Sequence, residues 1–122
     1  MTTKIQISEE PGFTRVVCSG LVQYDLTTEM LRKVARIASK SQKPLVLFDI
    51  RDADYRHYHA NIIRHTQEGP SLGIDRSFRI AVLGSKGEPM LAFIEDAAVN
   101  RGYQTKAFTE ESEAVVWLLS AP

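Results

Sequence analysis

A chain of 122 residues, 43% hydrophobic and 25% charged, has the size and composition of one globular domain, and its core needs no disulfide or metal staple. Its 15 basic and 15 acidic side chains cancel, which argues against a protein built to coat nucleic acid and leaves self-association unopposed by charge repulsion. Cys18 is the one cysteine, Met1 to Ile5 lacks the apolar core of a signal peptide, and no apolar run approaches a bilayer span, so a cytoplasmic protein without membrane insertion is expected.

Lys4 to Ser8 alternates Ile5 and Ile7 with polar residues, the pattern of a half-buried strand. The turn Glu10-Pro11-Gly12 leads into a second strand, Phe13 to Val22, and the short link predicts a hairpin. The period then changes. Met30, Leu31, Val34, Ile37 and Ala38 recur at spacings of three and four and lay an apolar stripe along a helix. Thr27 reads as its N-cap, with Leu26 stapled to Leu31 and Glu29 in the first turn. Ser41 to Pro44 ends it.

Leu45-Val46-Leu47-Phe48 is a continuous apolar run, as in an interior strand of a parallel sheet. Asp49 to Asp54 reads as a polar loop. Tyr55 to Gln67 reads as a second helix with Tyr58, Ile62 and Ile63 inward, stopped by Gly69-Pro70. Phe78 to Leu83 is another buried strand, and Gly84 to Gly87 a loop. Pro89 suits the first position of a third helix with Leu91, Ile94 and Ala98 inward, and Gly102 ends it. Tyr103 to Phe108 is a last strand. Thr109 caps a final helix with Val115, Leu118 and Leu119 facing the core. The order β-β-α-β-α-β-α-β-α predicts an α/β fold over residues 1–122, with four helices on a five-stranded mixed sheet whose opening hairpin makes an antiparallel edge.

Candidate chemistry gathers after the third strand, where α/β folds place their sites. Asp49, Asp52 and Asp54 could hold a divalent cation or simply cap the turn and helix. His57, His59 and His65 are spaced two, six and eight apart, which puts no pair of rings on one helix face for a metal. Among Arg51, Arg56 and Arg64 they form a pH-sensitive or anion-attracting stretch. Gly84-Ser85-Lys86-Gly87 is a weaker anion-loop candidate, since free N–H groups at a helix start can bind phosphate, but the spacing of a phosphate loop is missing. Cys18, mid-strand, reads as a small buried residue. No nucleophile, base and orienting acid can be assembled, so no enzyme, cofactor or metal site is predicted.

The element order, together with Leu26-Thr27, Leu45 to Arg51, Arg79 to Gly84, Gln104 to Phe108 and Glu113 to Leu118, resembles the STAS (anti-sigma-factor-antagonist) family, and within it the bacterial STAS-like proteins grouped with Sec14-type lipid carriers. The resemblance covers almost the whole chain. It implies a non-enzymatic regulatory module that binds a protein partner or itself. The alternative, from the lipid-carrier side, is a carrier or sensor of a small apolar ligand near Tyr55, Tyr58 and Phe93. The family's antagonists carry a phosphorylatable serine at the start of the second helix. Here His57-Tyr58-His59 fills that place, and no serine or threonine stands between Asp49 and Ile63, so a phosphate switch there is not expected. The expected partner or ligand surface is therefore Asp49, Arg51, Asp52, Asp54, Tyr55, Arg56, His57, Tyr58 and His59. A homodimer is the simplest assembly, with Tyr55, Tyr58, Phe93 and Val99 as its apolar surface. A ligand site predicts an apolar pocket of roughly several hundred Å³; a docking module predicts a flat apolar patch.

Overall fold

Five strands and four helices alternate along the chain in the computed structural model, which describes Thr3 to Ala121. The strands are β1 (Lys4–Glu10), β2 (Phe13–Leu21), β3 (Leu45–Asp54), β4 (Arg79–Leu83) and β5 (Gln104–Phe108). The helices are α1 (Tyr24–Ala38), α2 (His59–Leu72), α3 (Pro89–Asn100) and α4 (Glu111–Leu119). The strands lie in space in the order of the sequence. β1 is an antiparallel edge on β2, and every later pairing is parallel. The five-stranded mixed sheet and four helices are those expected, with Leu45 to Phe48 in an interior strand.

This topology decides where the helices go. Three successive crossovers step the same way across the sheet, and their common right hand puts α1, α2 and α3 on one face. α4 follows the last strand, crosses nothing, and folds onto the other face. Strand alternation supplies both cores. Val16, Cys18, Val46, Phe48, Ile80 and Val82 face α1–α3, while Leu47, Ala81 and Leu83 face Ala114 and Leu118 of α4. Among the described residues no helix is long and apolar enough to cross a membrane.

Several boundaries differ from the sequence pattern. α1 starts four residues early: Gln23 is its N-cap, its carbonyl accepts from Thr27 N–H, and Leu26 is exposed, so no staple to Leu31 forms. β1 runs to Glu10 rather than Ser8. β3 does not end at Phe48. Asp49 to Asp54 stays extended because β2 runs on beside it, pairing Ser19 with Asp52 and Leu21 with Asp54; the pairing partner overrides the polar composition. Tyr55 to Tyr58 is then a turn, closed by Tyr58 N–H donating to the Tyr55 carbonyl, and α2 begins only at His59.

Gly69 and Pro70 lie inside α2 rather than ending it. Gly69 is there for room, since a Cβ at that position would lie 2.1 Å from Tyr103 Oη. Gly73, at φ +99°, makes the left-handed cap three residues beyond the proline. The buried stripe of α2 runs through Ile62, His65, Gly69 and Leu72, which leaves Ile63 42% exposed. α4 is capped at Glu110 rather than Thr109, with Leu118 fully buried and Leu119 exposed.

Candidate functional site

The face under α1–α3 does not close completely. Between the sheet and these helices lies a pocket of about 130 Å³. Phe48, Ile50, Ile80 and Val82 form its sheet side, and Met30, Ile62 and Ala98 reach it from the three helices. Its surface is almost wholly apolar, and no Lys, Arg, Asp or Glu lines it. It is smaller than the several hundred Å³ a drug-sized ligand needs.

Three of its lining residues carry a buried polar atom without a hydrogen-bond partner: Tyr58 Oη, His65 Nδ1 and Thr105 Oγ1. They are the only such side-chain atoms among the described residues. Tyr58 is 4% exposed, and His65 and Thr105 are 8% exposed. Such groups are rare in folded proteins because each loses its water without replacement.

His65 is otherwise firmly held. Its Nε2 lies 3.0 Å from Thr28 Oγ1, and Tyr24 stacks on its ring at 4.5 Å. The Tyr24 hydroxyl donates to Glu68, and the Arg64 guanidinium sits 4.2 Å over the Tyr24 ring. Burial depresses the His65 pKa below its ordinary value, with Glu68 opposing and Arg64 assisting. Burial pushes Tyr58 up, opposed by the nearby Thr27 hydroxyl, which does not reach hydrogen-bonding geometry with Tyr58 Oη, and burial drives Tyr55 far above the ordinary tyrosine range. The Cys18 thiol, also in the wall, is pushed up to about 11 by burial and then by Asp49. The pocket wall therefore carries neutral groups at pH 7.

A bulge aims the aromatic wall. Two steps along β2, from Val17 to Ser19, match three along β3, from Asp49 to Asp52. The extra residue reverses the alternation, so Ala53 and Tyr55 continue the inner row that Phe48 and Ile50 began. The turn then sends Arg56 and His57 outward and Tyr58 back in. His57 adopts φ +60°, the one non-glycine residue with positive φ among those described. The Tyr55 and Tyr58 rings meet edge to face at 5.7 Å.

The nine residues expected to form one surface are thus divided. Tyr55 and Tyr58 belong to the pocket wall, and Tyr58 is buried rather than exposed. Asp49 and Arg51 belong to the opposite, α4 face. There Arg51 Nη2 donates to Asp49 at 2.7 Å and to Glu111 at 3.3 Å, and Arg15 bridges Glu111 to Glu10. Burial would raise the Asp49 pKa, but the hydrogen bonds from Arg51 hold it below the usual carboxylate range. Asp54 pairs with Arg56, while Asp52, His57 and His59 are exposed at the carboxyl end of the sheet. His59 packs edge-on to Phe93 at 4.7 Å. The three aspartates do not converge on a common point, and no group of metal-ligating side chains forms among the described residues.

Gly84, Ser85, Lys86 and Gly87 do form the loop before α3, beside the end of β3, where Ser85 Oγ donates to the Arg51 carbonyl. Glu88 occupies the anion's place there, accepting from Met90 N–H at 3.1 Å. Of the dimer candidates, Tyr58 is buried, Tyr55 and Phe93 are half-buried, and only Val99 is exposed. His65 stands at the end of the Asp49 to His65 stretch expected to carry function, whereas Thr105 is outside it. A signal for His65 exists in the sequence: Ile62, His65, Gly69 and Leu72 form one stripe at spacings of three and four.

The architecture is that of the SpoIIAA-like, or STAS-like, fold. The chain is similar to an uncharacterized protein of the DUF3478 family with a SpoIIAA-like fold from Shewanella loihica PV-4, with TM-score 0.62 and 19% identity over 95% of this chain and 93% of that one. It is also similar to an anti-sigma factor antagonist from Mycobacterium paratuberculosis, with TM-score 0.60 and 8% identity over 98% of this chain and 96% of that one. No family model matches the sequence, and no curated protein matches it significantly.

Proposed function

We propose that this chain is a non-enzymatic binding module that holds a small, mostly apolar molecule between its sheet and α1–α3. The observation that carries this reading is the coincidence of the pocket with all three unpartnered buried polar atoms. A core selected for stability alone would fill the void and pair or remove those atoms. Cys18, buried and free, supports a reducing compartment such as the cytoplasm. The test is a titration with benzene followed by NMR. Saturable shifts should appear at Ile62, Val82 and Ala98, and Ala98→Leu, which fills the pocket, should abolish them while the fold persists. Absence of shifts in the native protein with benzene and with small uncharged single-ring relatives of it, up to their solubility, would sink the reading.

A second reading, docking on a protein partner or on a second copy, has its own support. A shallow groove of about 330 Å³ runs between Asp54, Arg56 and His59 on one side and Glu88 to Met90 on the other. The Tyr55–Tyr58 turn joins this groove to the pocket wall, and the likeness to an anti-sigma factor antagonist supports a regulatory role. Arg56→Ala should weaken partner binding without changing benzene binding. Sedimentation at tens of micromolar reports whether the partner is a second copy.

A further inference from the structure

We propose that the pocket selects an uncharged, single-ring molecule bearing one hydroxyl, the chemistry of a simple phenol. This inference rests on the ligand-binding reading above and narrows it. Size comes first. About 130 Å³ is close to the roughly 150 Å³ of an apolar cavity that takes up benzene, and well below the roughly 300 Å³ at which drug-sized ligands begin. One ring fits, and a long acyl chain does not.

Charge comes next. No ionisable side chain that is charged at neutral pH lines the pocket. The nearest full charges on α2 are engaged elsewhere, Arg64 over the Tyr24 ring and Glu68 with the Tyr24 hydroxyl. A carboxylate or ammonium would lose its hydration there and meet no counter-charge. The ligand is therefore neutral.

The polar group follows from the orphan atoms. Tyr58 Oη can donate or accept. His65 Nδ1 does whichever its tautomer leaves, since Nε2 faces Thr28 Oγ1, which can itself serve either way. The two ring centres lie 6.1 Å apart, with the ring planes inclined at 28°. A hydroxyl both donates and accepts, so it suits Tyr58 in either tautomer of His65. The aromatic walls formed by Tyr55, Tyr58 and Phe48 suit a flat ring.

The experiment compares benzene, phenol and benzoate by calorimetry at neutral pH on the native protein and on Tyr58→Phe. Phenol should bind the native protein about fivefold tighter than benzene, the worth of one net hydrogen bond between neutral groups. Benzoate should not bind. In Tyr58→Phe the preference for phenol should vanish while benzene affinity stays within about twofold, and the ligand-free variant should melt higher than the native protein, because an unpartnered buried hydroxyl has been removed. A merely structural tyrosine would not give that opposition of sign. Equal binding of benzene and phenol, tighter binding of benzoate, or a phenol preference that survives Tyr58→Phe overturns the inference and leaves the reading beneath it standing. Failure of all three ligands to bind removes that reading itself.

Discussion

On the α4 side of the sheet, polar side chains are tied off in a chain of contacts that runs Glu10, Arg15, Glu111, Arg51, Asp49, and Arg79 donates twice to the Trp117 carbonyl while lying 3.7 Å over its ring. On the α1–α3 side, three buried polar atoms have no partner and a pocket remains. The same strands supply both faces. The difference lies in what covers them. A single nine-residue helix brings Ala114 and Leu118 down onto Leu47, Ala81 and Leu83, and the space left on that side is an open surface groove of about 740 Å³ running along α4 and β5, lined by Lys106, Phe108, Glu113 and Trp117. Three helices must satisfy one another as well as the sheet, and the wedge where they converge is filled only by long side chains. Here Ala98 and Gly69 stand in that region instead. Gly69 is fixed by Tyr103, whose hydroxyl passes through the space of its missing side chain to reach the Ile74 carbonyl at 2.7 Å.

The largest expected effect tests this contrast directly. Leu118→Ala, on the closed face, should cost about 2–5 kcal/mol by denaturant unfolding, because a fully buried leucine leaves a void its tight neighbours cannot refill. Ala98→Leu, an enlargement on the open face, should be neutral or stabilising. If the two changes cost alike, the faces are not packed differently and the pocket is not real space.

Asp49→Ala comes next, at about 1–2 kcal/mol, since it frees the end of the ion-pair chain but leaves Arg51 able to reach water. Acid should act on the same group. Unfolded, such a carboxyl titrates near 3.8; folded, it titrates lower. Its contribution is therefore complete above that value and fades as pH falls through the folded pKa. In the Asp49→Ala variant this part of the acid transition should be missing.

Much of the closed face was legible in the sequence, and little of the open one. The run Leu45 to Phe48, the Pro89 start of α3 and the alternation of strands with helices lead directly to a mixed five-stranded sheet with an antiparallel edge, while the order of its strands in space comes from the structure. Periodicity also finds Leu118. It misjudges Leu119, because the stripe that meets the sheet runs through Ala114 and Leu118, four residues apart, and Leu119 stands a step round the helix from it. The polar stretch Asp49 to Asp54 looks like a loop because its extended form depends on β2 overhanging β4, a tertiary fact. Tyr58 is read both ways, inward with Ile62 on the helix stripe, as found, and outward on the expected partner surface; a bulge and a turn, neither visible in composition, carry it inward. A void where three helices meet has no sequence pattern at all. Only its polar lining leaves a trace, as a histidine within an otherwise apolar helix stripe.

That histidine separates the faces by pH. Unfolded, His65 takes a proton near pH 6.5; folded, burial delays this to a lower pH. Between the two values the unfolded chain binds more protons, so stability should be full above about pH 6.5 and fall as acid is added. The groups facing the ring are Tyr24 and Thr28 from α1, Tyr58 from the turn, and Glu68 and Arg64 on its own helix. In His65→Gln the loss between neutral pH and the carboxylate range should shrink, measured as the unfolding midpoint against pH. A fall of the same size in the variant would assign it to groups outside the pocket and leave the pocket without a titrating wall.

The smallest effect concerns the turn that gives the open face its aromatic wall. His57 sits at φ +60°, a backbone region that glycine adopts freely and other residues adopt at a cost of about 1–2 kcal/mol. Histidine is among the residues found there more often than most. His57→Gly relieves that cost but loosens the unfolded chain by about 0.5–1 kcal/mol, so the two changes nearly cancel. A gain of a few tenths of a kcal/mol is expected. His57→Val should instead cost about 1 kcal/mol or more, since a branched Cβ fits this conformation poorly. Neither change touches the pocket, so benzene affinity should hold wherever Tyr55 and Tyr58 keep their places. If His57→Gly leaves stability nearly unchanged yet weakens benzene, the strained turn is what holds the two tyrosines against the void. If both are unchanged, the wall is held by the Tyr55–Tyr58 contact and by the packing of Ile62 and Met90 around Tyr58.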